Sequence, residues 1–177
     1  MAEIHPQALH RHVALVSQEP FYLSSFSIRE NLLLGVEREV SDDELWRILA
    51  DVDLRGAIEK LPKGLDSLVG DEVHLSGGQY QLLAIGRVLL QRRPFVLLDE
   101  GTNQLDAEHE ALIVRSLERL KEHATVVIIT HRMTSARRAD RIYVLDGGRV
   151  TQQGTHAQLL EEKGGLYRKF WDLQVVE

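Results

Sequence analysis

Three short apolar runs, rich in β-branched residues, constrain the fold of this chain more than any other feature. They lie at 13–16, 95–98 and 126–129, each is followed at once by polar residues, and stretches with helical periodicity separate them. Continuous apolar runs of this kind are typical of strands buried on both faces, as in parallel sheets covered by helices. The sequence therefore predicts an α/β fold with a largely parallel sheet.

A hairpin is predicted near the C-terminal end of the chain. Residues 142–145 and 149–153 are strand-like and flank Asp146-Gly147-Gly148, a turn sequence that suits a tight antiparallel connection.

Helix starts are marked by side chains that can accept hydrogen bonds from the first helical turn. The predicted N-cap residues are Ser41, Ser76, Asp106 and Thr155. Glu44 and Gln158 stand three residues after Ser41 and Thr155, which predicts a capping box at both helix starts.

The stretch between the first two strands is too long for a single crossover connection. Most of it has helical periodicity, so residues 27–90 are predicted to form an inserted helical subdomain. Residues 1–26 and 91–177 are then expected to form the sheet-containing core.

Composition excludes several classes of function. The 177 residues carry a net charge of -6 and no Cys, which argues against a generic nucleic-acid binder, a disulfide scaffold and a thiolate metal site. No apolar run approaches the roughly 18 residues of a membrane span. We therefore expect no nucleic-acid partner and no direct membrane insertion.

Leu75-Ser76-Gly77-Gly78-Gln79 precedes the longest helical pattern of the insert. Two glycines expose backbone N–H groups, Ser76 adds a hydroxyl, and the helix N-terminus adds the positive end of a dipole. These groups suit a phosphate, although Ser-Gly-Gly is also a common turn with an N-cap.

Polar side chains follow all three predicted strands. Asp99 and Glu100 end the second run, Thr130 and His131 follow the third, and Gln18 follows the first. The carboxyl ends of parallel strands meet at one sheet edge, where ligands bind. There Asp99 could hold a water-bound Mg²⁺, Glu100 could orient or deprotonate a water, and His131 could bond a phosphate.

In these motifs the chain resembles the nucleotide-binding domain of ABC transporters, most closely the exporter type. Residues 75–79 are similar to the signature motif, 95–100 to Walker B with its catalytic glutamate, and Leu105-Asp106 to the end of the D-loop. Gln18 is similar to the Q-loop glutamine, His131 to the switch histidine, and residues 21–32 to the exporter stretch that follows the Q-loop. The resemblance implies a P-loop NTPase (RecA-like) fold with an inserted helical signature subdomain.

The resemblance also implies a function, which is ATP binding and hydrolysis with Mg²⁺, coupled to export. The expected partners are a second nucleotide-binding domain and the transmembrane domain of an exporter, on the cytoplasmic side of the membrane. The signature residues would face the γ-phosphate of an ATP bound to the opposite subunit; they are Ser76, Gly77, Gly78 and Gln79.

The remaining roles are carried over in the same way. Asp99 would serve Mg²⁺, Glu100 the attacking water, and His131 the γ-phosphate. Gln18 would contact the metal and couple the site to the membrane domain, and Asp106 would cross the dimer interface.

The largest departure from the family pattern is an absent motif. No G-x-x-x-x-G-K-[ST] sequence, the P-loop or Walker A motif, occurs in the 177 residues. Without this cradle, several charge-assisted hydrogen bonds to phosphate are missing, at about 1.5–3 kcal/mol each. In the family the P-loop strand is central, so 126–129 and 142–145 are expected to flank a gap. We therefore predict a truncated or split domain that is inactive as an isolated chain.

Smaller departures follow Glu100 and Gln79. The sequence Gly101-Thr102-Asn103-Gln104 replaces the family's usual Ala-Thr-Ser-Ala. After Gln79, Tyr80, Leu82 and Leu83 stand where arginine-rich sequence is common in the family. These changes bear on catalytic competence.

Two other functions compete with the ATPase. The chain could be a non-catalytic module whose signature motif completes the P-loop site of a partner in trans, or a degenerate relic. An ABC-type ATPase of the DNA-repair class is disfavoured by the acidic net charge and by the absence of flanking coiled-coil heptads.

Overall fold

The computed structural model of the chain describes residue 9 and residues 11–100 and 105–175. It divides into two compact units, the first ending at Ile129 and the second beginning at Thr130. The departures predicted at 101–104 lie outside the described residues.

The first unit alternates strands and helices. In chain order its elements are β1 (Val13–Val16), α1 (Ile28–Leu33), α2 (Asp42–Asp51), α3 (Arg55–Ile58), a 3₁₀ turn (Gly64–Asp66), α4 (Gly77–Gln91), β2 (Phe95–Asp99), α5 (Ala107–Leu120) and β3 (Thr125–Ile129).

A three-stranded parallel sheet with the order β1-β2-β3 lies in this unit. Val13 pairs with Phe95, and Phe95 pairs with Thr125, so the three strands start at the same level. The α/β class and the parallel sheet are confirmed. Among the described residues β3 has no second strand neighbour, so it forms an edge.

One face of the sheet is buried under helices. Ala14, Val16, Val96 and Leu98 are at most 2% exposed, and they share one core with the buried leucines of α1, α2 and α4. The strands and the helices of 27–90 therefore share this core. The domain boundaries predicted at 26/27 and 90/91 stay a prediction.

The helix caps form where the sequence predicts them, but one predicted capping box is incomplete. Ser76 and Thr155 each form a complete capping box, and so do Ser27 and Glu30, which were not predicted as one. At Ser41 only half of the predicted box forms, since its side chain accepts from the Glu44 N–H while the Glu44 carboxylate binds arginines instead. Those arginines are Arg38, at 2.6 Å, and Arg92, at 2.9 Å.

The second unit contains a hairpin and three helices in its described part. Its elements are α6 (Met133–Ala136), β4 (Ile142–Asp146), β5 (Arg149–Gly154), α7 (His156–Glu161) and α8 (Leu166–Val175). Gly147 and Gly148 both have positive φ, at 54° and 75°, which a two-residue hairpin turn of this type requires. The predicted hairpin is confirmed.

A small separate core supports this hairpin. Met133, Val144, Leu159 and Tyr167 are buried together, and Trp171 packs against them. Tyr167 is 2% exposed, and its hydroxyl lies 2.8 Å from His156 Nδ1. None of the helices in the described ranges combines the length and apolar character needed to cross a bilayer.

Candidate functional site

The first turn of α4 carries the predicted signature residues. Ser76 is the N-cap, and its hydroxyl oxygen accepts a hydrogen bond from the Gln79 N–H at 3.2 Å. The Gln79 side-chain oxygen accepts from the Ser76 N–H at 2.9 Å. This reciprocal pair fixes the turn, and the Ser76 hydroxyl proton and the Gln79 amide NH₂ group can still be donated.

The rest of α4 is buried, so the helix presents only its first turn. Every residue from 81 to 90 is buried, whereas Ser76 and Gly77 are exposed and Gly78 is half-buried. The N–H groups of Gly77 and Gly78 belong to the first turn, where a helix has no acceptors of its own. The turn thus offers outward-directed donors at the positive end of a long helix, which suits an anion.

Three predicted residues lie at the carboxyl edge of the sheet. Asp99 is the last residue of β2 and is exposed, Glu100 follows it, and Gln18 comes two residues after the end of β1 and is exposed. Val16 pairs with Leu98 in parallel register. The structure therefore places Gln18, Asp99 and Glu100 at one edge, as the sequence predicted.

Glu100 has an unusual backbone conformation. Its φ is +49°, in the left-handed region that glutamate rarely occupies, and its N–H donates to Ile129 O at 2.9 Å. That hydrogen bond continues the pairing of β2 with β3 by one residue and helps to hold the strained turn in place. Strained residues of this kind cluster at functional sites.

The loop that carries Gln18 is fastened to α4 by Gln81, which the sequence analysis did not single out, and by the contact of Tyr22 with Tyr80. Gln81, fully buried, donates to the carbonyl of Ser17 at 3.4 Å, immediately before Gln18. Tyr22 stacks on Tyr80 with ring centroids 4.0 Å apart, and burial, followed by the bond with Tyr22, raises the pKa of Tyr80. A polar Gln81 in an otherwise apolar helical stretch was the available signal.

Asn31 fixes the far end of the same loop. It is fully buried, its side-chain oxygen accepts from the Leu23 N–H at 2.8 Å, and its amide donates to Leu23 O at 2.9 Å. The amide also bonds the carbonyl of Ser27 at 3.1 Å. These bonds satisfy buried polar groups and fix the course of residues 23–27.

Asp106 has a clear local role as the N-cap of α5. Its carboxylate accepts from the His109 N–H at 2.9 Å and lies 2.8 Å from His109 Nδ1. The backbone bond from His109, followed by the side-chain bond, lowers the pKa of Asp106. The capping prediction is confirmed, and the expected role at a dimer interface stays a prediction.

His131 belongs to the second unit and is exposed there. The turn that contains it is clamped by Gln174, whose amide donates to His131 O at 2.7 Å and whose oxygen accepts from the Met133 N–H at 3.0 Å. The Thr130 hydroxyl oxygen accepts from the Arg132 N–H at 3.0 Å. The backbone at His131 is thus well defined within its own unit.

The described residues offer few protein ligands for a magnesium ion, but these ligands are of a suitable type. No group of three or more acidic or histidine side chains in the described ranges could hold a metal. Mg²⁺ keeps several waters and needs only one or two protein oxygens when it is bound to phosphates. Asp99 and Gln18, with oxygen atoms at one sheet edge, fit an ion that arrives with a nucleotide.

The comparisons with known proteins agree with this geometry. The family model described as ABC transporter matches residues 1–103. The ATP-dependent lipid A-core flippase of Thiobacillus denitrificans is 40% identical over 159 residues, which covers 89% of this chain and 27% of that protein. ATP-binding cassette sub-family B member 10, mitochondrial, of Mus musculus is 39% identical, covering 97% of this chain and 24% of that protein.

A solved structure is similar over the whole chain. It is a bacterial Atm1-family ABC exporter with ATP bound, with a TM-score of 0.88 and 32% identity, covering 100% of this chain and 31% of that one. The chain therefore spans less than a third of the length of these relatives. On the family match and these identities, the chain belongs to the ABC transporter family and corresponds to the nucleotide-binding domain of its exporters.

Proposed function

We propose that this chain supplies the signature motif and the hydrolytic carboxylate of an ATPase that drives export. One observation carries the proposal. The first turn of α4, with its free donors, is exposed at the end of a buried helix, and Asp99 and Glu100 stand at the carboxyl edge of the parallel sheet in the same unit.

Each group has a chemical task. The N–H groups of Gly77 and Gly78 and the Ser76 hydroxyl would donate to the γ-phosphate of an ATP held by a second nucleotide-binding domain. Mg²⁺, held through Asp99 and Gln18, would neutralise charge on the phosphates. Glu100 would orient or deprotonate the attacking water, and His131 would donate to a phosphate oxygen.

The partners follow from these roles. Asp106 would contact the second nucleotide-binding domain, and Gln18 would link the site to the transmembrane domain of an exporter. The protein would then work on the cytoplasmic side of the membrane.

The absence of a P-loop motif from these 177 residues limits what the chain can do alone. Phosphate binding in cis would lack the lysine and the backbone cradle that this motif supplies. We expect negligible ATP hydrolysis by the isolated chain, and activity once a P-loop-bearing N-terminal segment of an exporter domain is joined to it.

The experiment compares ATP turnover of that joined protein with the Glu100→Gln variant. Loss of a water-orienting carboxylate is expected to lower kcat by about 10²-fold or more. The matched control is Glu108→Gln, an exposed acid in the first turn of α5, which should leave turnover unchanged. Activity that survives Glu100→Gln would exclude the assigned role of Glu100.

A second function is favoured by one feature of the chain: it has a complete signature turn, but its 177 residues contain no P-loop motif. The chain would then be a non-catalytic module that completes a partner's site in trans. It would bind a P-loop-bearing domain only with ATP present, and Ser76→Arg would abolish that binding. Binding that does not depend on ATP would contradict this second function, and no binding together with poor folding would favour a degenerate relic.

A further inference from the structure

His109, in the first turn of α5, lies between two carboxylates. Its Nδ1 is 2.8 Å from Asp106 Oδ1, and its Nε2 is 3.4 Å from Asp53 Oδ2. Asp106 is the N-cap of α5, whereas Asp53 stands in the turn between α2 and α3. One imidazole ring therefore bridges the start of α5 and a segment that is remote in sequence.

The turn that carries Asp53 has a fixed backbone. The residues on either side of it, Val52 and Leu54, are fully buried, and the Leu54 N–H donates to Leu49 O at 2.8 Å. Asp53 itself has a φ of +55°, in the left-handed region that Asp and Asn tolerate better than other residues with a side chain. The Asp53 carboxylate is thus carried by a backbone that is anchored in the core.

The two contacts of the ring depend on its charge. An ionised carboxylate only accepts hydrogen bonds, and a neutral imidazole donates through one nitrogen. In either neutral tautomer the other nitrogen of His109 turns a lone pair toward a carboxylate. The imidazolium donates to Asp106 through Nδ1 and forms an ion pair with Asp53 through Nε2. The side chain is 33% exposed, so it can exchange protons with water.

The other titratable residues in the first turn of α5 are acidic. They are Glu108 and Glu110, which follow the N-cap Asp106. Bonds from the His109 N–H and then from its side chain lower the pKa of Asp106. The strand β3, which also packs against α5, has no charged side chain. Since the N-terminal end of a helix disfavours a cation, nearby acids and not the helix dipole stabilise the imidazolium.

The segment that faces α5 offers Asp53 no cation other than His109. Asp51, at the end of α2, pairs at 3.1 Å with Arg119, which lies farther along α5. Arg55 pairs with Glu59 at 2.7 Å, and no Lys or Arg in the described ranges pairs with Asp53. Arginine keeps its charge throughout the range from pH 5 to 8, whereas imidazole is the side chain that changes charge there.

We infer that His109 is a positioning residue for Asp106, and that it makes the attachment of the start of α5 depend on pH. The imidazolium ties Asp106 to the turn between α2 and α3, and loss of its proton as the pH rises removes the pair with Asp53. The inference rests on the proposed function in one respect, since Asp106 is proposed there to contact a second nucleotide-binding domain.

Hydrogen exchange of the His109 backbone amide, which donates to Asp106 at 2.9 Å, measures this tie in the full chain. Asp53→Asn keeps the size of the side chain and suits the left-handed backbone, but removes the charge. Relative to the wild type at the same pH, this variant should exchange about threefold faster at pH 5.5 and no faster at pH 8.

Asp51→Asn is the matched control, because it removes an acid on the same segment whose partner is an arginine. Any change that it causes in the exchange rate should have the same size at pH 5.5 and pH 8. An effect of Asp53→Asn that does not depend on pH would overturn the inference. An equal pH dependence of the two variants would also overturn it, and so would no effect of Asp53→Asn at either pH.

The consequence for catalysis is measured with the joined protein described above and its His109→Gln variant, whose side chain cannot become charged. The ratio of variant to wild-type ATP turnover should be about threefold lower at pH 5.5 than at pH 8, and it cancels the titration of groups that both proteins share. An equal ratio at both pH values would overturn the positioning role. A joined protein without any turnover would contradict the proposed function instead, and the exchange experiment would then decide the inference.

Discussion

The two faces of the parallel sheet have the same kind of side chain and opposite surroundings. On one face Ala14, Val16, Val96 and Leu98 are at most 2% exposed, whereas on the other Leu15, Phe95, Val127 and Ile129 are 49–57% exposed. The buried face lies under α4 and α5, and no described element of the first unit buries the other. The two faces have similar residue types and differ in whether helices cover them. The uncovered face, called the open face below, is an exposed apolar patch, and large patches of this kind mark interaction surfaces.

The largest expected effect compares one leucine from each face. Leu98→Ala removes a fully buried side chain and should lower the free energy of unfolding by about 2–5 kcal/mol. Leu15→Ala, the same chemical change at a 57% exposed position, should cost less than about 1 kcal/mol. Urea unfolding followed by circular dichroism measures both. Similar losses for the two variants would show that the open face is covered in solution.

A smaller effect is expected where the covering helix begins. Ser76→Ala removes the N-cap of α4 and should lower the free energy of unfolding by about 1 kcal/mol. Ser76→Asn keeps an oxygen that can cap the helix and is the matched control. If the Ser76→Ala and Ser76→Asn variants unfold at the same urea concentration, the N-cap does not stabilise the helix that covers the buried face.

Lowering the pH should slightly reduce the free energy of unfolding, because Glu44 in the first turn of α2 becomes protonated. Bonds from Arg38, with a further contribution from Arg92, lower the pKa of Glu44 in the folded chain. A lowered pKa means that the stabilisation is present above the unfolded pKa of about 4.3 and is lost as the pH falls through the folded value. The effect should stay below about 1 kcal/mol, since the pair is partly exposed.

Unfolding free energies at pH 7 and pH 3 measure this contribution. Glu44→Gln should flatten the pH dependence, and the same change should matter less in an Arg38→Gln background. An unchanged slope in Glu44→Gln would assign the acid sensitivity to other carboxylates.

The smallest change in stability is expected from charges on the open face. Leu15→Lys combined with Val127→Lys should alter the free energy of unfolding by less than about 0.5 kcal/mol, because both side chains already contact water. Self-association, measured by sedimentation velocity, should decrease. Val126→Lys, on the covered face beside Val127, is the control and should unfold the chain.

Local signals predicted much of this fold. The strand at Val13–Val16, the hairpin around Gly147 and the caps at Ser76, Asp106 and Thr155 depend on residues close in sequence, and the structure has them where expected. The capping box predicted at Ser41 forms only in part, because the Glu44 carboxylate binds Arg38 and also Arg92, which is remote in sequence. The spacing of Ser41 and Glu44 alone does not reveal these competing partners.

The candidate site also combines features that the local sequence predicts with features that it does not. The positions of Gln18, Asp99 and Glu100 at one edge follow from parallel strands alone. The left-handed backbone at Glu100 and the fastening of the Gln18 loop by Gln81 and Asn31 do not. Each of these depends on how segments distant in sequence pack together.

The sequence by itself determined the family, the alternation of strands and helices, and the residues available for phosphate chemistry, because periodicity, capping and motif spacing act over a few residues. Only the tertiary structure decided which apolar residues are buried and which polar atoms keep a partner. Those properties are differences in solvent access between folded and unfolded states, and they exist only once distant segments come together.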